Sequence, residues 1–366
     1  MSKLFSAGQR FSERYEVISF LDAGGMQEVY VARDHLLNRN VALKSPFTSS
    51  GAKRFKRSAV LAARINHPNV AKTLDYLYDE GVEILIEELV EGSNIESLLE
   101  REYLYFDPHL VAQFGHHFSK ALMASHHVNV VHRDLKPSNI IAEVKDGSYT
   151  FKVTDFGIAR LVEQQLDDAV YNNESLGTAG SSTIVGALPY MAPEMIETPK
   201  LTDKPVDIWA FGAILYRLLT GEYPFGTGLS AVPRIYAAKI PDKPQLIDQF
   251  IQYRALGNEI WDIAVKCMSK APLDRPTAPT LVEWFSNLSF DIQPRIIANI
   301  SSWRPKGHAW GFLNAGMDDY FFHQDSFYGA PNLIKVGRRV SCCFHAGGGN
   351  GRAHPILPLR PTSSDQ

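Results

Sequence analysis

Apolar residues first come in short runs of strand character, at Tyr15 to Phe20, Val29 to Ala32 and Val41 to Lys44. Between 53 and 66 the spacing becomes that of one helix face, with Phe55, Ala59, Ala62, Ala63 and Ile65 in register and His67-Pro68-Asn69 as the stop. A buried strand follows at Val82 to Val90, and Glu91-Gly92-Ser93 leads out of it into a helix that starts near Asn94. Val130-Val131 opens a strand-like run that breaks into a polar loop and resumes at Ile140-Ile141. Phe151 to Val153 is a further strand, and an apolar helix begins at Asp207-Ile208-Trp209 and runs to Thr220. From 294 onward only short β-rich runs remain: Ile296 to Trp303, Trp310 to Leu313, Tyr320 to His323, Leu333 to Val336, Arg339 to His345 and Ala353 to Leu357. Regular short strands separated by turns are the pattern of a small barrel. The fold class predicted is therefore α+β, in two or three units.

Composition changes this picture little. A chain of 366 residues with 45% hydrophobic content can bury several cores. A net charge of −3 argues neither for disorder nor for a polyanion-binding protein, so no partner follows from it, although residues 291–366 hold 8 Lys/Arg against 5 Asp/Glu. The three cysteines are Cys267 and the adjacent Cys342 and Cys343, which suits neither a disulfide framework nor a zinc site. A basic-then-apolar leader and a run of eighteen apolar residues are both lacking, so the expectation is a cytoplasmic protein with no membrane partner.

Candidate chemistry centres on the loop V-V-H-R-D-L-K-P-S-N-I-I, residues 130–141. A carboxylate at Asp134 can orient a hydroxyl, Lys136 can neutralise a transferring phosphoryl group, and the amide of Asn139 can ligate magnesium. The string resembles the catalytic loop of serine/threonine protein kinases, and other motifs extend the resemblance to residues 14–288. Gly24-Gly25 lies in a hairpin suited to close approach of phosphates, and Lys44 ends a strand as does the phosphate-gripping lysine of that family. Asp155-Phe156-Gly157 follows Asp134 by twenty-one residues and implies a second magnesium ligand in Asp155. The resemblance further implies an adenine site made by backbone at Glu88 and Val90 and by Leu21, Val29, Ala42 and Ile141. It implies ATP and Mg2+ as cofactors and a protein Ser/Thr hydroxyl as acceptor. Residues 161–185 are hydroxyl- and glycine-rich and close at Ala192-Pro193-Glu194, like an activation segment. There Ser181, Ser182 or Thr183 could carry a phosphate received by Arg133 and Arg160. Arg275 is expected to pair with Glu194.

Four positions depart from the family pattern: Asp22 and Gln27 stand for glycines, Ala187 for a threonine, and Ser58 for the helix glutamate that pairs the strand lysine. No acid occurs between 53 and 66, so Glu87, at the inner end of the strand beside Lys44, is predicted to take that partner's place. A strand slipped by one residue would instead turn Glu87 to solvent. Two classes of function fit the resemblance: an active kinase, favoured by the intact loop, or a nucleotide-binding pseudokinase scaffold with a C-terminal interaction barrel.

The expected units are residues 14–91 and 92–288, the two lobes of a bilobal kinase fold, and residues 294–360, a small OB-like β-barrel. W-G-F-L, Y-F-F-H and V-G-R-R-V-S resemble motifs of cold-shock domains. Trp303, Trp310, Phe312, Phe321 and His323 sit largely at alternating strand positions, where several could share a face and stack on single-stranded RNA or DNA. They could equally fill the barrel or dock against the kinase.

Overall fold

The structure, a computed structural model, describes residues 3–23, 27–47, 52–79, 81–156, 186–197, 202–305, 307, 309–316, 318–346 and 351–361. Gly24, Gly25, Gly157, Arg160, Ser181, Ser182 and Thr183 lie outside the described residues, as does the side chain of Ser58.

Strands β1 (Arg10–Phe11), β2 (Tyr15–Ala23), β3 (Gln27–Asp34), β4 (Arg39–Pro46), β5 (Thr73–Asp79) and β6 (Val82–Glu88) form one sheet in the order β1-β2-β3-β4-β6-β5. Alternation gives it two distinct faces. Tyr30, Ala32, Val41, Leu43, Ile84 and Ile86 make an apolar core on one side. The residues between them, among them Val29, Ala42, Lys44, Leu85 and Glu87, fall on the other. Helix α1 (Ala52–Ala62) packs on that second side through Phe55 and Ala59 against Leu85.

The chain then builds a mainly helical part. A small sheet of β7 (Ser93–Asn94), β8 (Ile140–Lys145) and β9 (Ser148–Val153) adjoins α2 (Ile95–Arg101), α3 (Pro108–His127), α4 (Pro193–Glu197), α5 (Pro205–Thr220), α6 (Val232–Ala237), α7 (Gln245–Gln249), α8 (Ile251–Cys267) and α9 (Ala278–Asn287). Local chemistry sets the ends. Asn94 caps α2 by accepting the Ser97 amide at 2.8 Å, and Asp107 caps α3 ahead of a proline in its first turn. Helix α5 is buried almost all round, as its apolar sequence requires of a central helix. Helices α3, α8 and α9 answer to no element predicted from the sequence. In α3 the buried side includes Gly115, Ser119, Ser125 and His126, so polar letters interrupt the apolar stripe that would reveal it. Val130-Val131 is likewise not a strand; sheet pairing begins only at Ile140.

Strands β10 (Arg295–Arg304), β11 (Trp310–Ala315), β12 (Asp318–His323), β13 (Arg339–His345) and β14 (Arg352–Pro358) close into a barrel in the order β10-β11-β12-β14-β13. Only the β12–β14 contact is parallel, so the barrel is OB-like, and Ile300, Leu313, Phe322, Val340, Cys342 and Ile356 fill it. The run Leu333 to Val336 forms no strand: Pro331, without an amide donor, opens a 3-10 turn that ends at Leu333.

The barrel is anchored to the helical part. Tyr328, Leu357 and Leu359 belong to the same core as α2, α3 and α8. Buried Arg295 pairs with Asp107 at 2.7 Å, and its backbone amide donates to Gly147 O at 2.8 Å in the β8–β9 turn. Arg360 donates to the carbonyls of Leu99 and Tyr103. Among the described residues no helix is long and apolar enough to cross a membrane.

Candidate active site

The polar loop after α3 is held from beneath by one buried carboxylate. Asp207, near the start of α5, accepts the His132 and Arg133 amides at 2.8 Å each and contacts His126 Nε2 at 2.9 Å. Burial alone would raise its carboxyl, and the bonds from His126 and Arg133 outweigh that and hold it below its ordinary value. Those two amide bonds also secure Arg133 in a left-handed conformation, φ 65°, that a residue with a Cβ otherwise avoids.

The loop thereby presents Asp134, Lys136 and Asn139 together. Lys136 Nζ lies 3.0 Å from Asp134 Oδ2, and Asn139 Nδ2 donates to the Asp134 carbonyl at 2.7 Å and to Oδ2 at 3.2 Å. Asp134 Oδ1 is buried without a hydrogen-bond partner among the described residues. Ala187 lines the same small cavity, and its methyl group offers no donor.

Asp155 stands just past the end of β9 in a left-handed conformation, φ 61°. Its Oδ1 accepts Lys44 Nζ at 2.7 Å and Gln27 Nε2 at 3.0 Å. Glu87 also contacts the Lys44 ammonium, both side chains being buried. Register explains this meeting: Ala42 on β4 is the cross-strand partner of Glu87, and Lys44 is two residues farther along the same face. Glu88, on the opposite face, pairs instead with Lys152, so the one-residue slip is not what the strand adopts. Burial works against the charge on Lys44, but Asp155 and Glu87 overcome it and raise the ammonium above its ordinary value. Burial raises the Glu87 carboxyl, with Lys44 opposing. Asp155 ends below its usual range, because Lys44 outweighs the burial that would raise it.

Around this centre Ala42 and Val90 are buried, Val29 and Ile141 half-buried, and Leu21 is 53% exposed. The Glu88 amide is taken by the Lys72 carbonyl at 2.8 Å. Asp22 is exposed and accepts the next amide, Ala23. Phe156 packs edge-on against His132 with ring centres 4.7 Å apart, tying the residue after Asp155 to the loop. Farther down, Arg275 grips Glu194 with two bonds of 2.6 and 2.8 Å.

The donor set suits a hard cation. The Asn139 amide nitrogen is committed to Asp134, which leaves its oxygen as the ligating atom, and Asp155 supplies a carboxylate. These are two oxygen ligands, one of them acidic, too few for an all-protein cage, and no group of three or more His, Cys, Asp or Glu able to hold a metal occurs among the described residues.

An antiparallel sheet carrying a buried, paired lysine is thus set against a loop of Asp, Lys and Asn on the helical lobe, the arrangement of a bilobal fold with its polar side chains gathered between the lobes. The chain belongs to the protein kinase family, whose protein kinase domain matches residues 15–285. Members of this family use ATP and Mg2+. It is similar to a probable serine/threonine-protein kinase of Clostridium perfringens, 32% identical over 277 residues, covering 73% of this chain and 37% of the relative. It is also similar to serine/threonine-protein kinase pkn3 of Myxococcus xanthus, 32% identical over 279 residues, covering 74% and 49%. A third is serine/threonine-protein kinase PrkC of Bacillus subtilis, 32% identical over 237 residues, covering 62% and 33%. The chain thus spans less than half the length of each of these relatives.

Two participants escape sequence reasoning. Asp207 reads there only as the start of a helix, and Gln27 only as bulk in a glycine loop. Their partners lie 75 and 128 residues away, and no local pattern signals them.

Proposed function

We propose that the chain is a serine/threonine protein kinase that transfers the γ-phosphoryl group of ATP to a protein hydroxyl. The observation that carries this is Asp134 Oδ1, a buried carboxylate oxygen without a partner among the described residues, beside Lys136 and Asn139. Asp134 would orient the acceptor hydroxyl and receive its proton, and Lys136 would offset charge that develops on the transferring group. Lys44 would hold the α- and β-phosphates, kept charged by Glu87 and Asp155. Asn139 and Asp155 would hold Mg2+, which when bound supplies charge neutralisation at the phosphates. Val29, Ala42, Val90 and Ile141 would enclose the adenine. A scaffold that merely binds nucleotide has no use for this loop geometry. Transfer of labelled phosphate from ATP to the chain itself or to a generic substrate is expected, and Asp134→Ala should lower it by about a hundredfold or more. Transfer that Asp134→Ala leaves unchanged would sink the reading.

For the barrel we infer a cold-shock-like, single-strand-binding role. Trp310 pairs across strands with His323, and Phe312 with Phe321, which sets four half-buried rings on one outer face of β11 and β12. Arg304 lies over the Trp310 ring at 4.7 Å, adding a cation at the edge of this platform. Tyr328, Leu357 and Leu359 anchor the barrel to the kinase, and Phe321 and His323 line an open cleft that Gln252 of α8 borders on the other side. The three cysteines are free and buried, which supports a reducing cytoplasm as the setting.

A further inference from the structure

We propose that Gln27 is a latch that competes with the divalent cation for Asp155, and so sets how readily the cleft accepts Mg2+ with a nucleotide. This rests on the kinase reading of the site and adds a residue to it. Gln27 opens β3, at the end of the nucleotide hairpin, and is only 7% exposed. Its amide crosses from the sheet to the strand end on the other lobe and donates to Asp155 Oδ1 at 3.0 Å. That same oxygen already accepts Lys44 at 2.7 Å.

A carboxylate oxygen has two acceptor sites, and here both are filled. The other oxygen, Oδ2, accepts Thr154 Oγ1 at 3.3 Å and has room for a ligand, so a cation held by both carboxylate oxygens must displace one donor from Oδ1. Lys44 loses little by moving, since Glu87 stays beside it and nucleotide phosphates are its natural counter-charge. Gln27 has no other acceptor among the described residues. Its own Oε1 is already buried without a partner among the described residues, so the side chain gives up one hydrogen bond to keep the other on Asp155. Because Gln27 sits on the hairpin and Asp155 on the opposite lobe, the bond also joins the two walls of the cleft. Release of the bond and entry of the cation are one exchange.

The test uses the full chain and two variants. Gln27→Ala removes the amide and its bulk, and Gln27→Met keeps the bulk without the donor. Binding of a non-hydrolysable ATP analogue is followed by calorimetry and by thermal shift across a Mg2+ titration. Both variants should lower the Mg2+ concentration at half-saturation by about tenfold, the weight of one hydrogen bond to a charged group. Affinity for the analogue without Mg2+ should stay the same. If Met behaves as wild type while Ala does not, bulk governs the site and the latch is wrong. An unchanged or higher Mg2+ midpoint in both variants, with normal binding by wild type, also overturns the latch and leaves the kinase reading standing. Analogue binding by no protein at any Mg2+ concentration would overturn both.

Discussion

Lys44 shows how a missing residue can be compensated from elsewhere in the fold. A buried ammonium needs an acid, and the stretch 53–66 supplies none. That need, together with strand register, is why Glu87 was within reach of sequence reasoning, whereas Gln27 was not. Gln27 meets Asp155 across 128 residues, through a hairpin whose shape composition does not encode. The pairing with Glu87 has a physical consequence. In this chain the lysine's acid lies on β6, inside the same sheet, so the aim of Lys44 follows the sheet and not the placement of α1. Glu87→Gln should cut kcat/KM for ATP by about tenfold or more, chiefly through KM, because Asp155 alone must then serve both lysine and cation. A KM for ATP equal to wild type in steady-state assays would show that Glu87 does not position the lysine.

At the scale of elements, β11 and β12 were legible because strict alternation places Trp310, Phe312, Phe321 and His323 on one face. Trp303 breaks that rule and is the correction to the sequence reading. Pairing along β10 shifts between Ile300 and Ser302, a bulge, and beyond it Trp303 lies in the row of Gly311 and Phe322. There it stacks on the core ring of Phe322, with centroids 5.6 Å apart and planes 9° from parallel. Gly311 between them must lack a side chain, since a Cβ would collide with the Phe322 ring. The two sets of rings should therefore separate by experiment. Trp310→Ala and Phe321→Ala should weaken single-stranded RNA or DNA binding by about 1–3 kcal/mol each, without lowering the melting temperature. Trp303→Ala should do the reverse, costing about 1–3 kcal/mol of stability by loss of packing. Equal loss of binding from all three, or no binding by wild type in a fluorescence titration, would reject the stacking platform.

At the scale of the molecule, the barrel and the helical part share buried groups, and those groups make their union sensitive to acid. His109 on α3 and His354 on β14 face each other edge-on, 5.4 Å between ring centres, with Tyr253 of α8 beside both. Asp107, Arg295, Asp291 and His345 are the charged or titratable groups that face them. Burial lowers both imidazoles, His354 to about 4, and His109 Nδ1 also accepts the Asp291 amide at 2.9 Å, a bond that protonation there would break. The sign follows from which state takes up protons. Below the ordinary histidine value of about 6.5 the separated, unfolded chain protonates while the folded one does not, so stability falls with decreasing pH. The loss should begin near pH 6.5 and continue toward 4, with a slope of at most about 1.4 kcal/mol per pH unit for each histidine. Above pH 7 these two residues should contribute no slope. Denaturant melts at pH 7.5, 6.5 and 5.5 measure it, and His354→Gln should flatten the acid limb relative to wild type. Because the other histidines are common to both proteins, the difference isolates the junction. Parallel limbs in the two proteins would mean that His354 takes up its proton equally in the folded and unfolded states, and that acid acts on the molecule elsewhere.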